Sequence, residues 1–410
     1  MQRLLIFLLS VLFFCKLSAH AQTYSIVIKG GHVIDPKNNI NGVMDIAINE
    51  DTIAQVAKNI DAKQGKQVVD AKDMYVIPGL IDIHSHNFPG IRFGDPMPDG
   101  FTFRSGVTTT VDAGSSGWKS FPTFKEQTID RSQTRVLAFL NIVGEGFKGG
   151  AYEQDTGDMD AKLTAIVARR YKEYIVGIKV AHFEGHEWTP VDRAVEAGNQ
   201  ADGIPVMIDF GGATPPLPIE ELFMKHLRPG DIFTHCFGQL RNREAIVDVS
   251  TKKVKSFVWE AQKRGINFDV GYGGISFAYS QAIPALESGF FPNTISTDSN
   301  HSSINGAMKN LLSVMSKFLA MGMELPAVIK ATTWNAAQVI KREELGHLSV
   351  GAMADVAVLN LMEGKFGFYD YTGYKMESDK KLECEMTIRE GSIVYDLNGI
   401  ANPVTLRGGQ

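Results

Sequence analysis

One rhythm constrains this chain more than any other feature. Eight short apolar runs, each closing at or just past a polar residue or a glycine, lie at residues 77–84, 108–112, 136–141, 175–180, 205–209, 232–235, 267–271 and 294–298. Their ends fall 26 to 39 residues apart, which leaves room for one helix between successive strands. Helical patterns fill several gaps, among them residues 160–170 and 191–201, the second stopped by Ala201-Asp202-Gly203. Eight strand–helix units over about 250 residues are what a (β/α)8 TIM barrel requires. An open doubly wound sheet would more naturally carry a Gly-x-Gly-x-x-Gly turn after its first strand, and the sequence has none there. The expected fold class is therefore α/β, with the barrel at residues 78–345.

The rhythm stops at both ends. Residues 24–29 are β-branched and aromatic, and Gly30-Gly31 is expected to turn the chain into His32-Val33-Ile34-Asp35. Residues 43–48 and 52–56 repeat the pattern around an Asn49-Glu50-Asp51 turn. Near the other end, residues 355–359, 386–389 and 393–395 read as strands, the last two joined by Glu390-Gly391 into a hairpin. The two blocks, residues 22–77 and 346–396, are expected to meet in one small β-sandwich, leaving 397–410 as a tail. The apolar positions in residues 311–323 have helical spacing and read as core.

Residues 1–21 are of another kind. Arg3 precedes 11 mostly apolar residues, Leu4 to Phe14, too few for a membrane span, which takes about 20. Ala19-His20-Ala21 offers small residues for cleavage before Gln22. This is the pattern of a signal peptide, so the mature chain is expected to be secreted, into a periplasm, with no membrane attachment. Cys15 lacks the small preceding residues that lipoprotein processing needs. Apolar residues at 44% and charged residues at 21% exclude wholesale disorder, and a net charge of −5 argues against a nucleic-acid partner. Three cysteines build no disulfide scaffold, and nothing supports a bridge between Cys236 and Cys384. The expected partner is a small-molecule substrate; formation of a homo-oligomer is left open.

In such a barrel the chemistry sits at the C-terminal ends of the strands. Those ends carry His84 with His86, Lys179, Asp209, His235 and Asp298. Singly none is diagnostic; together they suggest a metal site. His84 and His86 have the spacing that puts two imidazoles on one side of a strand, and Asp82 continues that face as a candidate to orient one of them.

Pro78-Gly79-Leu80-Ile81-Asp82-Ile83-His84-Ser85-His86 resembles the opening motif of the amidohydrolase superfamily. Gly106-Val107-Thr108-Thr109, Ala331-Thr332-Thr333-Trp334-Asn335-Ala336-Ala337 and the run from Gly346 to Asp355 are similar to further motifs of that superfamily, in order along nearly the whole chain. Val111-Asp112-Ala113-Gly114-Ser115, Gly177-Ile178-Lys179, Thr234-His235-Cys236-Phe237 and Ile295-Ser296-Thr297-Asp298 resemble its amidohydrolase/deacetylase branch, grouped near dihydroorotases and including acetyl-mandelate deacetylases. The resemblance implies a site for one or two divalent ions, zinc foremost. His84, His86 and Asp298 would bind the first ion and His235 the second. Lys179, carboxylated by CO₂, would bridge them. Asp298 would also be catalytic, as the proton shuttle for a metal-bound hydroxide.

Two positions depart from the branch. Asp209 stands where it has a histidine after the fifth strand. Three readings stay open: Asp209 is an oxygen ligand to the second ion, the second site is weak or empty, or the site is dead. The first reading gives a neutral metal core and makes manganese or iron more plausible beside zinc. Gly271-Tyr272-Gly273 stands where the branch has Gly-His-Gly, and Tyr272 is either a hydrogen-bond donor to the reacting oxygen or a wall. His182 and His301 are candidate substrate contacts against a reading as solvated loop histidines; Glu145 and Glu153 lie in a long loop that could form a lid. The expected activity is hydrolysis of an ester or amide of a small molecule, deacetylation favoured. The alternatives are a dihydroorotase-like cyclic amidase and a non-catalytic periplasmic barrel.

Overall fold

The spacing of the apolar runs is realised as seven parallel strands and one closing segment. A computed structural model describes residues 23–91, 95–209 and 212–404. The N-terminal block holds β1 (Tyr24–Asp35), β2 (Ile40–Asn49), β3 (Thr52–Ala57), β4 (Gly65–Asp70) and β5 (Tyr75–Pro78). The barrel strands are β6 (Leu80–Ser85), β7 (Val107–Gly117), β8 (Arg135–Asn141), β9 (Ile175–Ala181), β10 (Val206–Asp209) and β11 (Ile232–Phe233). A small hairpin, β12 (Val247–Asp248) and β13 (Lys253–Val254), precedes the seventh barrel strand, β14 (Asn267–Phe268). The C-terminal block holds β15 (Val356–Tyr369), β16 (Lys375–Arg389), β17 (Ser392–Asp396) and β18 (Ala401–Asn402).

The barrel strands pair in chain order from β6 to β14. The eighth run, residues 294–298, forms no regular strand. It closes the ring through bridges, Thr294 with Asp269 on one side and Ser299 with Ser85 on the other, and through backbone bonds from Val270 N, Tyr272 N and Gly273 N to Thr294 O, Ser296 O and Thr297 O. Asp298 N donates to His84 O at 2.6 Å and His86 N to Ser299 O at 2.8 Å. Alternate residues of each strand enter two different cores. Leu137, Phe139, Val176, Met207 and Ile232 cluster with Ala336 and Ala337. Val136, Ala138, Leu140, Ile178, Val180 and Ile208 pack against the surrounding helices at Ala165, Val191, Ala194 and Ala197. Burial on both faces is why these runs read as continuously apolar. The expected helices appear as Ala161–Arg170, capped by the Asp160 side chain on Leu163 N at 2.9 Å, and as Thr189–Gln200. The helix Leu311–Ala320 is core, as its spacing indicates.

The terminal blocks join in one nine-stranded mixed sheet, in which β5 at the barrel entry pairs with both β1 and β15. Three details differ from the sequence reading. Gly30-Gly31 is not a turn but a bulge inside continuous β1, with Gly30 at φ +69°. Gly31 allows close approach: a Cβ there would stand 2.3 Å from Val76 Cγ2. The segment expected as tail contains β18, which pairs with β4. The strand expected at 355–359 is the start of a long arm, β15 with β16, whose tip lies against the barrel mouth. There Tyr272 Oη donates to Tyr369 O at 2.9 Å and Tyr279 N to Asp370 Oδ2 at 2.8 Å. Cys236 and Cys384 are buried and unbridged. The expected signal peptide lies outside the described residues. No helix among the described residues is long and apolar enough to cross a membrane.

Barrel and sheet are tied by one carboxylate. Arg135, at the start of β8, donates to Asp355 Oδ2 at 2.6 Å, and Arg389 of β16 lies 3.4 Å from its Oδ1. All three side chains are about nine-tenths buried. Asp355→Ala leaves two guanidinium groups with only the half-exposed Glu390 between them, 3.4 Å from Arg135. Glu390 remains 2.6 Å from Arg389, so the expected loss is about 3 kcal/mol, the lower end for breaking a buried ion pair. Urea denaturation measures it; a loss under about 0.5 kcal/mol, the range of an ordinary surface change, would refute the role.

Candidate metal centre

Five of the six expected ligand residues lie at or near the C-terminal ends of barrel strands and Asp298 on the closing segment, and the structure brings them together in two groups around Lys179. His84 Nε2 is 3.2 Å from Lys179 Nζ and 3.6 Å from Asp298 Oδ1. His86 Nε2 is 3.0 Å from the same Asp298 oxygen. On the other side, His235 Nε2 is 3.2 Å from Asp209 Oδ2. His84, His235 and Asp298 each offer a ligand atom, all within 4.8 Å of one another. Two imidazoles and a carboxylate gathered so closely and buried suit a divalent cation of borderline hardness.

The tautomers follow from the partners. Thr234 Oγ1 donates its only proton to the buried Asp269 carboxylate at 2.7 Å. It must therefore accept from His84 Nδ1, 2.9 Å away, which leaves the His84 Nε2 lone pair facing the centre. His235 Nδ1 donates to Gly271 O at 2.5 Å, again freeing Nε2. His86 Nδ1 meets Ser115 Oγ at 3.0 Å. Burial, with Lys179 and His235 nearby, holds His84 well below the usual histidine range, so the ring is neutral. Burial likewise lowers the Lys179 ammonium, against the pull of Asp209 and Asp298. Burial alone would raise Asp209, but His235 and Arg243 outweigh it and hold the carboxyl well below its ordinary value.

Several expectations change. Asp82 does not orient an imidazole. It accepts from Thr297 N at 3.0 Å and from the Thr297 hydroxyl, bracing the segment that carries Asp298; Thr234 with Asp269, and Ser115, do the orienting. Tyr272 is wall, not oxyanion donor: it is 1% exposed, its hydroxyl is given to Tyr369 O, and its ring stacks on Phe277 at 4.5 Å. His301 lies outside the metal-ligand group, its Nδ1 3.6 Å from Asp95 Oδ1. His182 lies at the mouth, its Nε2 3.6 Å from Asp209 Oδ2. Glu145 joins a surface network with Lys119 and Lys148, whereas Glu153 is buried against His182.

Three features escaped the sequence reading. Arg243 Nη2 donates to Asp209 Oδ1 at 2.6 Å, so the neutral core expected from an aspartate gains a fixed cation beside it. Gly271 and Gly273 flank Tyr272 because the site needs their emptiness. A Cβ on Gly271 would stand 2.3 Å from Thr234 Oγ1, and one on Gly273 2.3 Å from Asp298 Oδ2. Gly114, at φ +92°, likewise clears Lys179 Cγ, 2.7 Å from where its Cβ would lie. The Gly-x-Gly spacing was the available signal for the first pair; for Arg243 there was none.

Comparison with known proteins agrees with this geometry. An amidohydrolase-family model matches residues 296–395. A protein named as a deacetylase in Brucella anthropi is 33% identical over 337 residues, 80% of this chain and 82% of that protein. The chain belongs to the amidohydrolase superfamily. Among solved amidohydrolase-like structures, an adenine deaminase superposes with a TM-score of 0.82 at 29% identity, covering 91% of this chain and all of that one. A dihydroorotase superposes with a TM-score of 0.80 at 27% identity, covering 90% and 99%. The superfamily and the clustered ligands make this chain a metal-dependent hydrolase of small molecules.

The Thr234–Asp269 pair should set metal affinity without touching the ion. Thr234→Val, which keeps the shape and removes the hydroxyl, is expected to weaken metal binding by about 10- to 100-fold, as loss of a ligand's hydrogen-bond partner does. Competition with a chromogenic chelator measures this; unchanged affinity would show that His84 is oriented by packing alone.

Proposed function

We propose that this amidohydrolase is an exported deacetylase-type enzyme that cleaves an ester or amide bond of a small molecule. The observation that carries the choice of reaction is the 33% identity to a deacetylase across four-fifths of the chain. Likeness to the deaminase and dihydroorotase structures covers more of the chain, 91% and 90%, but at lower identity, 29% and 27%.

A divalent ion held at the site would supply a nucleophilic hydroxide at neutral pH and would polarise the scissile carbonyl. His84, His86 and Asp298 would hold one ion; Asp209 and His235 would hold a second. Lys179 would join them as a carbamate. Its amine is fully buried and lowered in pKa, and the neutral amine is the form that adds to CO₂, with release of one proton. Zinc suits the imidazoles; Asp209 keeps manganese and iron in play. Asp298 is the group suited to move the proton. Its side chain is the most exposed of this set, at 13% against 1% for His84 and 4% for His86 and His235. Gly273 leaves space against its Oδ2. It takes the proton from the attacking water and returns it to the leaving oxygen or nitrogen.

Asp298→Asn is expected to lower turnover by about 10²-fold or more, the scale of general acid–base work, on the substrate found in a screen of N-acyl and O-acyl compounds. Near-normal turnover in that variant would remove the proton role. A screen without acyl hydrolysis, beside turnover of dihydroorotate, would replace the deacetylase reading with that of a cyclic amidase.

Export is inferred from the apolar run of residues 4–14 and the Ala19-His20-Ala21 site. Expression of the full chain in a Gram-negative host, followed by fractionation and N-terminal sequencing, should find periplasmic protein beginning at Gln22. Uncleaved protein in the cytoplasm would refute it.

A further inference from the structure

The sheet unit reaches the metal centre from outside the barrel. We propose that the tip of the β15–β16 arm, residues 369–371, positions His235 as a metal ligand, so that a segment far from the ligands in sequence tunes metal affinity. This rests on the ligand role of His235 in the reading above.

Burial along the arm shows where it is anchored. Residues 362–365 are exposed, yet beyond them Phe368 is 6% and Asp370 2% exposed. A two-stranded ribbon is marginal alone in water, so the docked tip holds the arm in place. The tip is itself tightly turned. Asp370 Oδ1 accepts from Thr372 N at 2.9 Å and from Thr372 Oγ1 at 2.7 Å, and Gly373 N donates to Asp370 O at 3.2 Å. Three consecutive residues then each hold a different part of the barrel mouth. Tyr369 O accepts from Tyr272 Oη at 2.9 Å, Asp370 Oδ2 accepts from Tyr279 N at 2.8 Å, and Tyr371 Oη donates to Gln239 O at 2.5 Å.

These three contacts converge on His235. The first acts through one peptide unit. Gly271 O accepts from His235 Nδ1 at 2.5 Å, and Tyr272 N, in the same plane, donates to Ser296 O at 3.2 Å. The Tyr272 side chain fixes the Cα at the end of that unit. Its ring is held by Phe277 and the Lys317 ammonium and its hydroxyl by the arm. The second acts through the peptide unit between Phe237 and Gly238. Gly238 N donates to His235 O at 2.9 Å, and Phe237 O accepts from Ala278 N at 3.0 Å. The next amide, Tyr279 N, is the one that Asp370 holds. Gln239, the third contact, directly follows Gly238.

His235 needs this support. The strand β11 ends at Phe233, and His235 has φ +55°. A residue with a Cβ keeps a left-handed backbone only where its surroundings enforce it. Its imidazole aims Nε2 only as well as Gly271 O is placed, and the hydrogen-bond partner of a ligating ring sets metal affinity. Here that partner is a backbone carbonyl, so the arm acts through the residue beside it.

The test combines Tyr272→Phe with Tyr371→Phe, which keeps both rings and removes two hydroxyls. Metal-stripped protein is titrated with cobalt(II), whose visible absorption reports ligand geometry, and competition with a chelator gives affinity. The double variant should keep the circular dichroism of wild type, bind cobalt about 10-fold more weakly and show a shifted visible spectrum. His235→Ala should lose more affinity than the double variant. Weaker binding with an unchanged spectrum would indicate general loosening and overturn the positioning role. Affinity and spectrum both equal to wild type, beside a loss in His235→Ala, would overturn it while leaving His235 a ligand. His235→Ala binding cobalt as wild type does would overturn both.

Discussion

The hydrogen bond from Asp298 N to His84 O, at 2.6 Å, closes the barrel and brings together the residues of its metal centre in the same contact. The eighth run forms no regular strand; on one side Val270 N, Tyr272 N and Gly273 N donate to Thr294 O, Ser296 O and Thr297 O, and on the other, closure onto β6 depends on two backbone bonds, this one and His86 N to Ser299 O. Both of these two involve ligand residues. Asp82 and Asp269 serve both purposes. They are fully buried carboxylates whose hydrogen bonds go to Thr297 in one case, and to Thr234, Thr294 and Ser296 in the other. Burial raises both above the usual carboxylate range, Asp82 to about 7. A fold that seals itself through its active centre has little freedom to lose the centre and keep the barrel. This is a physical reason for a site so complete in a chain that departs from its branch at two positions.

Those departures are coupled to their surroundings. An aspartate at residue 209 adds a negative charge where the branch has a neutral ring. Arg243 meets it at 2.6 Å, 8% exposed and oriented by that contact. Buried charges are tolerated when paired and hydrogen-bonded; here one oxygen of Asp209 satisfies the guanidinium and the other faces His235. At Tyr272 the balance is different. The ring is used to dock the long arm of the C-terminal block, with its hydroxyl on Tyr369 O and the Lys317 ammonium 3.9 Å from its centroid. The residue that seemed a substrate contact thus connects the sheet unit to the barrel mouth.

What could be read from the sequence was what depends on chain order and period. The eight runs, the strand-end residues His84, Lys179, Asp209, His235 and Asp298, and the helical stretches 160–170 and 191–201 needed no knowledge of tertiary contact. The motifs from Pro78 to His86, Gly106 to Thr109, Ala331 to Ala337 and Gly346 to Asp355 added the superfamily. What could not be read depends on residues distant in sequence that meet only in the fold. Arg243 faces Asp209 across 34 positions. Thr234 orients His84 across 150 positions. Gly30-Gly31 looked like a turn because glycine pairs usually are; the parallel partner strands β4 and β5 keep β1 running through it. The arm beyond residue 359 was missed because residues 362–365 are exposed on both faces and interrupt the alternation that Phe366 and Phe368 resume.

The backbone at the mouth shows how this barrel redirects side chains. A regular strand can offer the centre only every second residue, and eight strands then give few positions at the right height. His182 and His235 break that limit by leaving β9 and β11 through left-handed φ just past the regular part, and Asp298 has the same backbone on the closing segment. The neighbouring glycines supply the room: Gly271 clears His84 and His235, and Gly273 clears Asp298. Left-handed residues and empty Cβ positions are therefore one device. A side chain turned back towards the centre occupies volume that the adjacent segment must vacate, and a glycine is the residue that vacates it. The pattern Gly271-Tyr272-Gly273 records this in the sequence. Its middle residue can vary towards the arm, while the outer two are fixed by the ligands they make room for.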